Sequence, residues 1–168
     1  MTFASNQTAT MENGDRDNAP TGTDVRQYVT FLVGESIYGV DINLVREIKQ
    51  WTPTTVLPNQ PSYTKGVLNL RGTIVPVHDL RARFGGALTE PTETNVVVIV
   101  WIGTKTVGIL VDAVSDIIGV PSEEIRQVPA GHAMGDMSAI GGLVTAQAGM
   151  VALLDLNTMF PSEEETNF

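Results

Sequence analysis

The chain contains one pattern twice, and a duplicated unit restricts the fold to something assembled from two alike parts. Shifted by 69 positions, Gly34, Gly39, Val45 and Ile48 fall on Gly103, Gly108, Val114 and Ile117. At the same shift Val40, Ile42, Asn43 and Glu47 meet the near-equivalents Ile109, Val111, Asp112 and Asp116. Shifted by 76, Gly66, Val75, Asp79, Leu80 and Phe84 fall on Gly142, Val151, Asp155, Leu156 and Phe160. The shifts differ by seven residues, so the second copy carries an insertion, placed at Ala130–Ser138. Agreement at glycines and acids together separates this pattern from a chance alignment of apolar runs. Duplicated units present related surfaces side by side, which suits a chain that connects other molecules.

Local patterns fill in both copies. Gln27–Val33 is rich in β-branched and aromatic residues and reads as a strand, turned at Gly34-Glu35-Ser36 into a second strand, Ile37–Ile42. Asn43 stands where a helix would be capped, and Val45 and Ile48 lie three apart, which predicts a helix. Prolines at 53, 58 and 61 break the following stretch into loop. Strands are predicted at Tyr63–Leu70 and Thr73–Val77, with Pro76 at an edge or bulge, and a helical turn at Leu80–Phe84. In the second copy Val96–Ile102 is apolar throughout, as a strand covered on both faces must be. Val107–Val111, Val114–Val120, Ile140–Ala146 and Met150–Leu154 complete the strands, with a helical turn at Pro121–Glu124. The class is therefore all-β with short helices: two small antiparallel barrels, about residues 27–84 and 94–160, packed together because neither alone buries enough surface. Residues 1–26 and 161–168 are polar and aperiodic, and are expected to be disordered tails.

What the chain lacks narrows its function. It has no cysteine, which removes disulfides, thiol nucleophiles and cysteine-bound metals. Its longest apolar run, Val96–Ile102, is far shorter than the roughly 20 residues that cross a bilayer. With no basic stretch leading into an apolar one at its start, the expectation is a cytoplasmic protein without membrane insertion. A net charge of -9 speaks against nucleic acid as a partner. Charge is also unevenly spread: residues 27–83 hold six Lys/Arg against four Asp/Glu, whereas residues 84–160 hold two against eight. Two readings stay open: drift on solvated faces, or copies of opposite sign that face different partners or meet one another between neighbouring chains.

No catalytic site, cofactor or metal is expected. His78 is answered by Leu154 in the second copy and so reads as structural, and His132 in the insertion lacks companion ligands for a metal. No G-x-S-x-G elbow occurs, and Gly103-Thr104-Lys105-Thr106 matches the hairpin turn at Gly34 instead of a phosphate loop. Glu47 and Asp116 recur between apolar neighbours and read as polar groups at helix ends. A small barrel enzyme lacks its nucleophile here, and an oligonucleotide binder lacks its basic, aromatic face. One segment stands apart: in Gly66–Val77, Arg71 sits beside Gly72 at a strand-to-strand turn, where a planar fork can be held out toward carboxylates or carbonyls. Its counterpart is Gln147, so the second copy drops the charge.

The runs YGVDINLVREI, GVLNLRGTIVPVHDL and VGILVDAVSDI resemble the CheW family of bacterial chemotaxis coupling proteins, over about Gln27 to Phe160. The resemblance implies two SH3-like barrel subdomains and an adaptor that links the cytoplasmic tips of chemoreceptors to the histidine kinase CheA in membrane-associated arrays. It implies receptor-facing positions at Val45, Glu47, Gly66, Arg71 and Val96. Contacts with the regulatory domain of CheA, itself similar to this family, are implied loosely at Ile37, Tyr38, Val40, Val107, Ile109 and Val111. Further copies of the chain in rings belong to the same expectation. An adaptor of a related chemosensory pathway, such as twitching motility, is the alternative.

Overall fold

The computed structural model describes residues 24–128 and 139–160. The predicted insertion with His132, the C-terminal tail and most of the N-terminal one lie outside the described residues. Among the described residues ten strands follow in order: β1 (Val25–Val33), β2 (Ser36–Asp41), β3 (Val45–Gln50), β4 (Thr64–Leu70), β5 (Thr73–Asp79), β6 (Val96–Ile102), β7 (Lys105–Val111), β8 (Ala113–Pro121), β9 (Ile140–Ala146) and β10 (Gly149–Leu154). Two single-turn helices, α1 (Leu80–Arg83) and α2 (Leu156–Met159), close the copies, and tight turns sit at Ile42–Leu44 and Ser122–Glu124. The predicted tail boundary at residue 26 is too late. Val25 and Arg26 already pair with Pro121 and Val120, because β8 is long enough to template them.

The predicted helix after Asn43 is a strand. Asp41, not Asn43, caps the short turn, accepting the Asn43 N–H at 2.9 Å, and β3 follows at once. Its misleading spacing has a physical origin. Val45 pairs with Val100 and Glu47 with Ile99, so Arg46 is the extra residue of a β-bulge. The bulge brings Val45 and Ile48 to one face although they are three apart, which imitates a helical period. The same device recurs in β8: Thr30 pairs with Asp116 and Phe31 with Val114, skipping Ser115. Glu47 and Asp116 therefore lie on strands and not at helix ends.

The strands form two five-stranded sheets, in the orders β9-β10-β2-β1-β8 and β3-β6-β7-β5-β4. Division of the chain near residues 84 and 94 does not describe them. Each sheet joins the first hairpin of one copy to the last three strands of the other, an exchange the repeat alone does not reveal. Each hairpin is joined on one side by an antiparallel pair, β1 with β8 and β6 with β3, and on the other by β2 with β10 and β7 with β5, the only parallel pairs among the described strands. Gly39 and Gly108 occupy the parallel joints, where a Cβ on Gly108 would come within 2.8 Å of the Val97 side chain. Pro76 lies one residue before the β5–β7 ladder begins at Val77, so its missing N–H costs no bond on that side.

Each sheet closes on itself. Thr55, just beyond edge strand β3, exchanges backbone hydrogen bonds of 2.9 and 2.8 Å with Val67 on the opposite edge strand β4. Arg126, just beyond β8, does the same with Leu143 on β9 at 2.9 and 2.7 Å. Three apolar clusters result. Leu68, Val75, Val77, Val97, Ile99 and Leu110 fill the second barrel; Tyr28, Val120, Val144, Val151 and Leu153 fill the first. A third cluster, including Phe31, Val40, Val98, Val100 and Ile109, draws on both sheets and forms the layer between them. Strands β6 and β7 thus have apolar contacts on both faces, which explains their unbroken apolar sequences; each fully buried Val or Ile contributes about 1.5–3 kcal/mol. Asp79 and Asp155 cap α1 and α2 from equivalent places, accepting the Arg81 and Thr158 N–H groups at 3.1 and 3.3 Å.

Candidate docking grooves

Where a barrel's two edges approach without a ladder, a seam remains, and each seam holds a groove. In the second barrel the bulge at Arg46 turns Glu47 toward the seam, opposite the β4–β5 turn. Arg71 and Gly72 form that turn with φ of 52° and 89°, the left-handed pair that a two-residue hairpin loop requires. Asn69 supports it by accepting the Gly72 N–H at 2.9 Å. Raised on this turn, Arg71 donates to Glu47 in a charge-assisted hydrogen bond across the seam. The groove beside the pair has a volume of about 200 Å³ and is lined by Arg46, Leu70, Thr73, Val75, Ile99 and Thr106 as well. At its rim the Arg46 guanidinium lies 4.9 Å from the centre of the Trp101 ring and donates to Thr106 Oγ1 at 3.5 Å. Trp101 is half exposed, unlike its buried neighbours on β6.

A second groove of about 310 Å³ lies on the seam of the first barrel, and the duplication maps one onto the other. Its residues Ser115, Asp116, Ala146, Gln147, Val151, Thr30 and Ile37 are the equivalents of Arg46, Glu47, Leu70, Arg71, Val75, Ile99 and Thr106. The construction is shared and the lining is not. Two arginines become Ser115 and Gln147, so the second groove loses its cations, and its larger apolar lining residues are Ile37, Ile118 and Val151 in place of Leu70, Val75 and Ile99. Its turn differs as well: neither Gln147 nor Ala148 has a positive φ, and the left-handed residue is Gly149. Charge follows the same division. The strands of the second sheet carry Arg46, Lys49, Lys65 and Lys105 against Glu47 and Asp79, whereas those of the first carry Arg26 against Asp41 and Asp116.

Among the expected receptor-facing residues, the structure brings Glu47 and Arg71 together, with Val45 on the same strand but packed toward the inter-barrel layer. Val96 pairs with Gln50 at the far end of β3 and also packs on that layer, away from the groove. Gly66 sits beneath the closing segment, with φ of 135° and a would-be Cβ only 2.5 Å from the Thr55 carbonyl oxygen. It keeps the barrel shut and offers no surface. The expected kinase-facing residues need a larger correction. Val40, Val107, Ile109 and Val111 are all buried, because they face the apolar layer between the two sheets. Tyr38 packs in the core with its ring stacked on Phe84 at 5.3 Å. Ile37 of this set lines the second groove.

Sequence reasoning missed Arg46, Trp101, Ile118 and Val151. Carrying the two shifts through from Glu47 and Arg71 leads to the second groove, but the bulges that aim these strands have no local signature. His78 is structural. Its Nδ1 lies 3.0 Å from Thr64 Oγ1, and its ring stacks on Phe160 and meets the Tyr63 edge. Burial, with the nearby charges of Lys105 and Arg83, lowers its pKa to about 4. Among the described residues no helix is long and apolar enough to cross a membrane.

Residues 27–164 match the model of the CheW-like domain. The chain belongs to this family. It is 40% identical over 139 residues to the chemotaxis protein CheW of Rhizobium meliloti, covering 83% of this chain and 90% of that protein. It is 36% identical to the chemotaxis protein CheW of Klebsiella aerogenes, over 83% of this chain and 84% of the other. The crystal structure of the scaffolding protein TtCheW from Thermoanaerobacter tengcongensis superposes with a TM-score of 0.74 at 30% identity, covering 82% of this chain and 93% of that one. The CheW-like fold, two SH3-like barrels with short helices, is the one found here.

Proposed function

We propose that this chain is a non-catalytic cytoplasmic scaffold that couples the cytoplasmic tips of chemoreceptors to the histidine kinase CheA in membrane-associated arrays. Family membership supports the adaptor role, as do the relatives' names and the description of the structural neighbour as a scaffolding protein. One observation carries the division of labour: two grooves built alike and lined differently, on opposite seams. In this reading the first groove, with Glu47 and Arg71, receives the receptor's helical hairpin, its charges setting the register. The second groove, lined by Ile37, takes the regulatory domain of CheA, and copies of the chain join in rings through the same two ends. Function then shows as affinity and assembly, with no bond made or broken.

The test is reconstitution. Receptor signalling fragments tethered to vesicles, with CheA, are expected to sediment kinase and raise its autophosphorylation only when the chain is present. Equal recruitment and activity without it contradict the proposal.

A further inference from the structure

The second groove lacks a part that the first one has. Glu47 draws its cation from within the chain, through Arg71 on the opposite edge of the seam. Asp116 stands on the equivalent bulge, but the residue across from it is Gln147, and among the described residues Asp116 makes no ion pair. Its Oδ1 accepts only the N–H of the next residue, Ile117, at 2.7 Å. Beside it lie Ile37, Ile118 and Val151, in a groove of about 310 Å³ where the clasped one has about 200 Å³. An apolar wall ending in an unpaired carboxylate fits a long cationic side chain, whose methylene stem packs along the wall while its head reaches the acid. The charge of the first sheet agrees, since its strands carry Arg26 against Asp41 and Asp116.

We propose that the protein partner of the second groove inserts an arginine or lysine flanked by aliphatic residues, which pairs with Asp116 and completes from outside the ion pair that Arg71 makes from inside at the first groove. This rests on the assignment of the regulatory domain of CheA to that groove.

Titration calorimetry of that domain against the full chain tests it. Asp116→Asn, nearly isosteric, is expected to weaken binding about tenfold and to flatten its dependence on salt. Gln147→Arg supplies the cation in place and is expected to weaken binding at least as much. Gln147→Glu has similar bulk and opposite charge, and is expected to bind as tightly as the natural chain or more so. Binding of the receptor fragment at the other groove reports that each variant is folded. Equal losses for Gln147→Arg and Gln147→Glu, or natural affinity for Asp116→Asn, overturn the inference and leave kinase docking standing. Absence of binding by the natural chain overturns the groove's assignment together with the inference.

Discussion

The two seams start from the same instructions. Each has an edge strand with one bulge, an acid turned inward by it, and a turn rising from the opposite edge. In the second barrel the turn carries Arg71 in the left-handed conformation, and the seam is clasped. In the first barrel the turn carries Gln147, the clasp is missing, and a wider apolar groove remains. Duplication thus preserved the barrel while two or three substitutions changed what its seam can hold. A protein with two identical ends would select one kind of neighbour; unequal seams allow an ordered sequence of different ones.

The two seams should respond unequally to matched substitutions. The largest effect is expected where the closing segments cross the barrels. Gly66→Ala places a Cβ against the Thr55 carbonyl at a positive φ, whereas at its counterpart Gly142 the close contact is with the Ile125 side chain, at 2.6 Å, and the Arg126 carbonyl oxygen lies at 3.4 Å. Chemical denaturation should show a loss of about 4 kcal/mol for Gly66→Ala and about 1–2 kcal/mol for Gly142→Ala. Equal losses would mean that the seams are closed alike.

The next effect concerns pH. His78 has a folded pKa of about 4 against an ordinary 6.5, so the unfolded chain takes up the proton first. Its contribution to stability is complete above pH 6.5, falls as pH drops from 6.5 to about 4, and is constant below that. The total is up to about 3 kcal/mol at 1.36 kcal/mol per pH unit. His78→Leu, which copies Leu154 from the other barrel, should abolish the His78 share of this slope in melts between pH 4 and 6.5. An unchanged slope would mean the burial of His78 is not what sets its pKa.

The smallest effect is expected at the rim of the first groove. Arg46→Ser copies Ser115 and removes the contact with Trp101, worth about 0.5–1 kcal/mol at an exposed site. Receptor-fragment affinity should fall about threefold to fivefold, and kinase affinity should not change. Loss at the kinase instead would reverse the assignment of the grooves.

Most of the strands were legible in the sequence because a strand buried on one or both faces writes its period into the chain, as Val96–Ile102 does. The hairpin turns, the helical turn after Asp79 and the repeat itself were legible for the same local reason, whereas the capping roles of Asp79 and Asp155 emerged only from the structure. The helix expected at Val45–Ile48 fails because a bulge shifts the two-residue alternation by one and leaves a three-residue spacing. Exchange of strands between copies escapes a sequence reading altogether, since β2 pairs with β10 and β7 with β5 across more than a hundred and about thirty residues respectively. Val107, Ile109 and Val111, expected at a partner interface, are core because their face of β7 packs in the layer against the opposing sheet. At the candidate site, Glu47 and Arg71 stood out as charges beside apolar runs, while Ile118 and Val151 look like any barrel residue until the two seams are superposed.

Whether one fold offers two grooves to two different partners is decided by measuring both affinities on two variants. By calorimetry, Arg71→Glu is expected to lose about tenfold or more toward the receptor fragment and nothing toward the regulatory domain of CheA. Gln147→Arg is expected to show the reverse. Losses by both variants toward the same partner, or by neither toward any, would contradict the account.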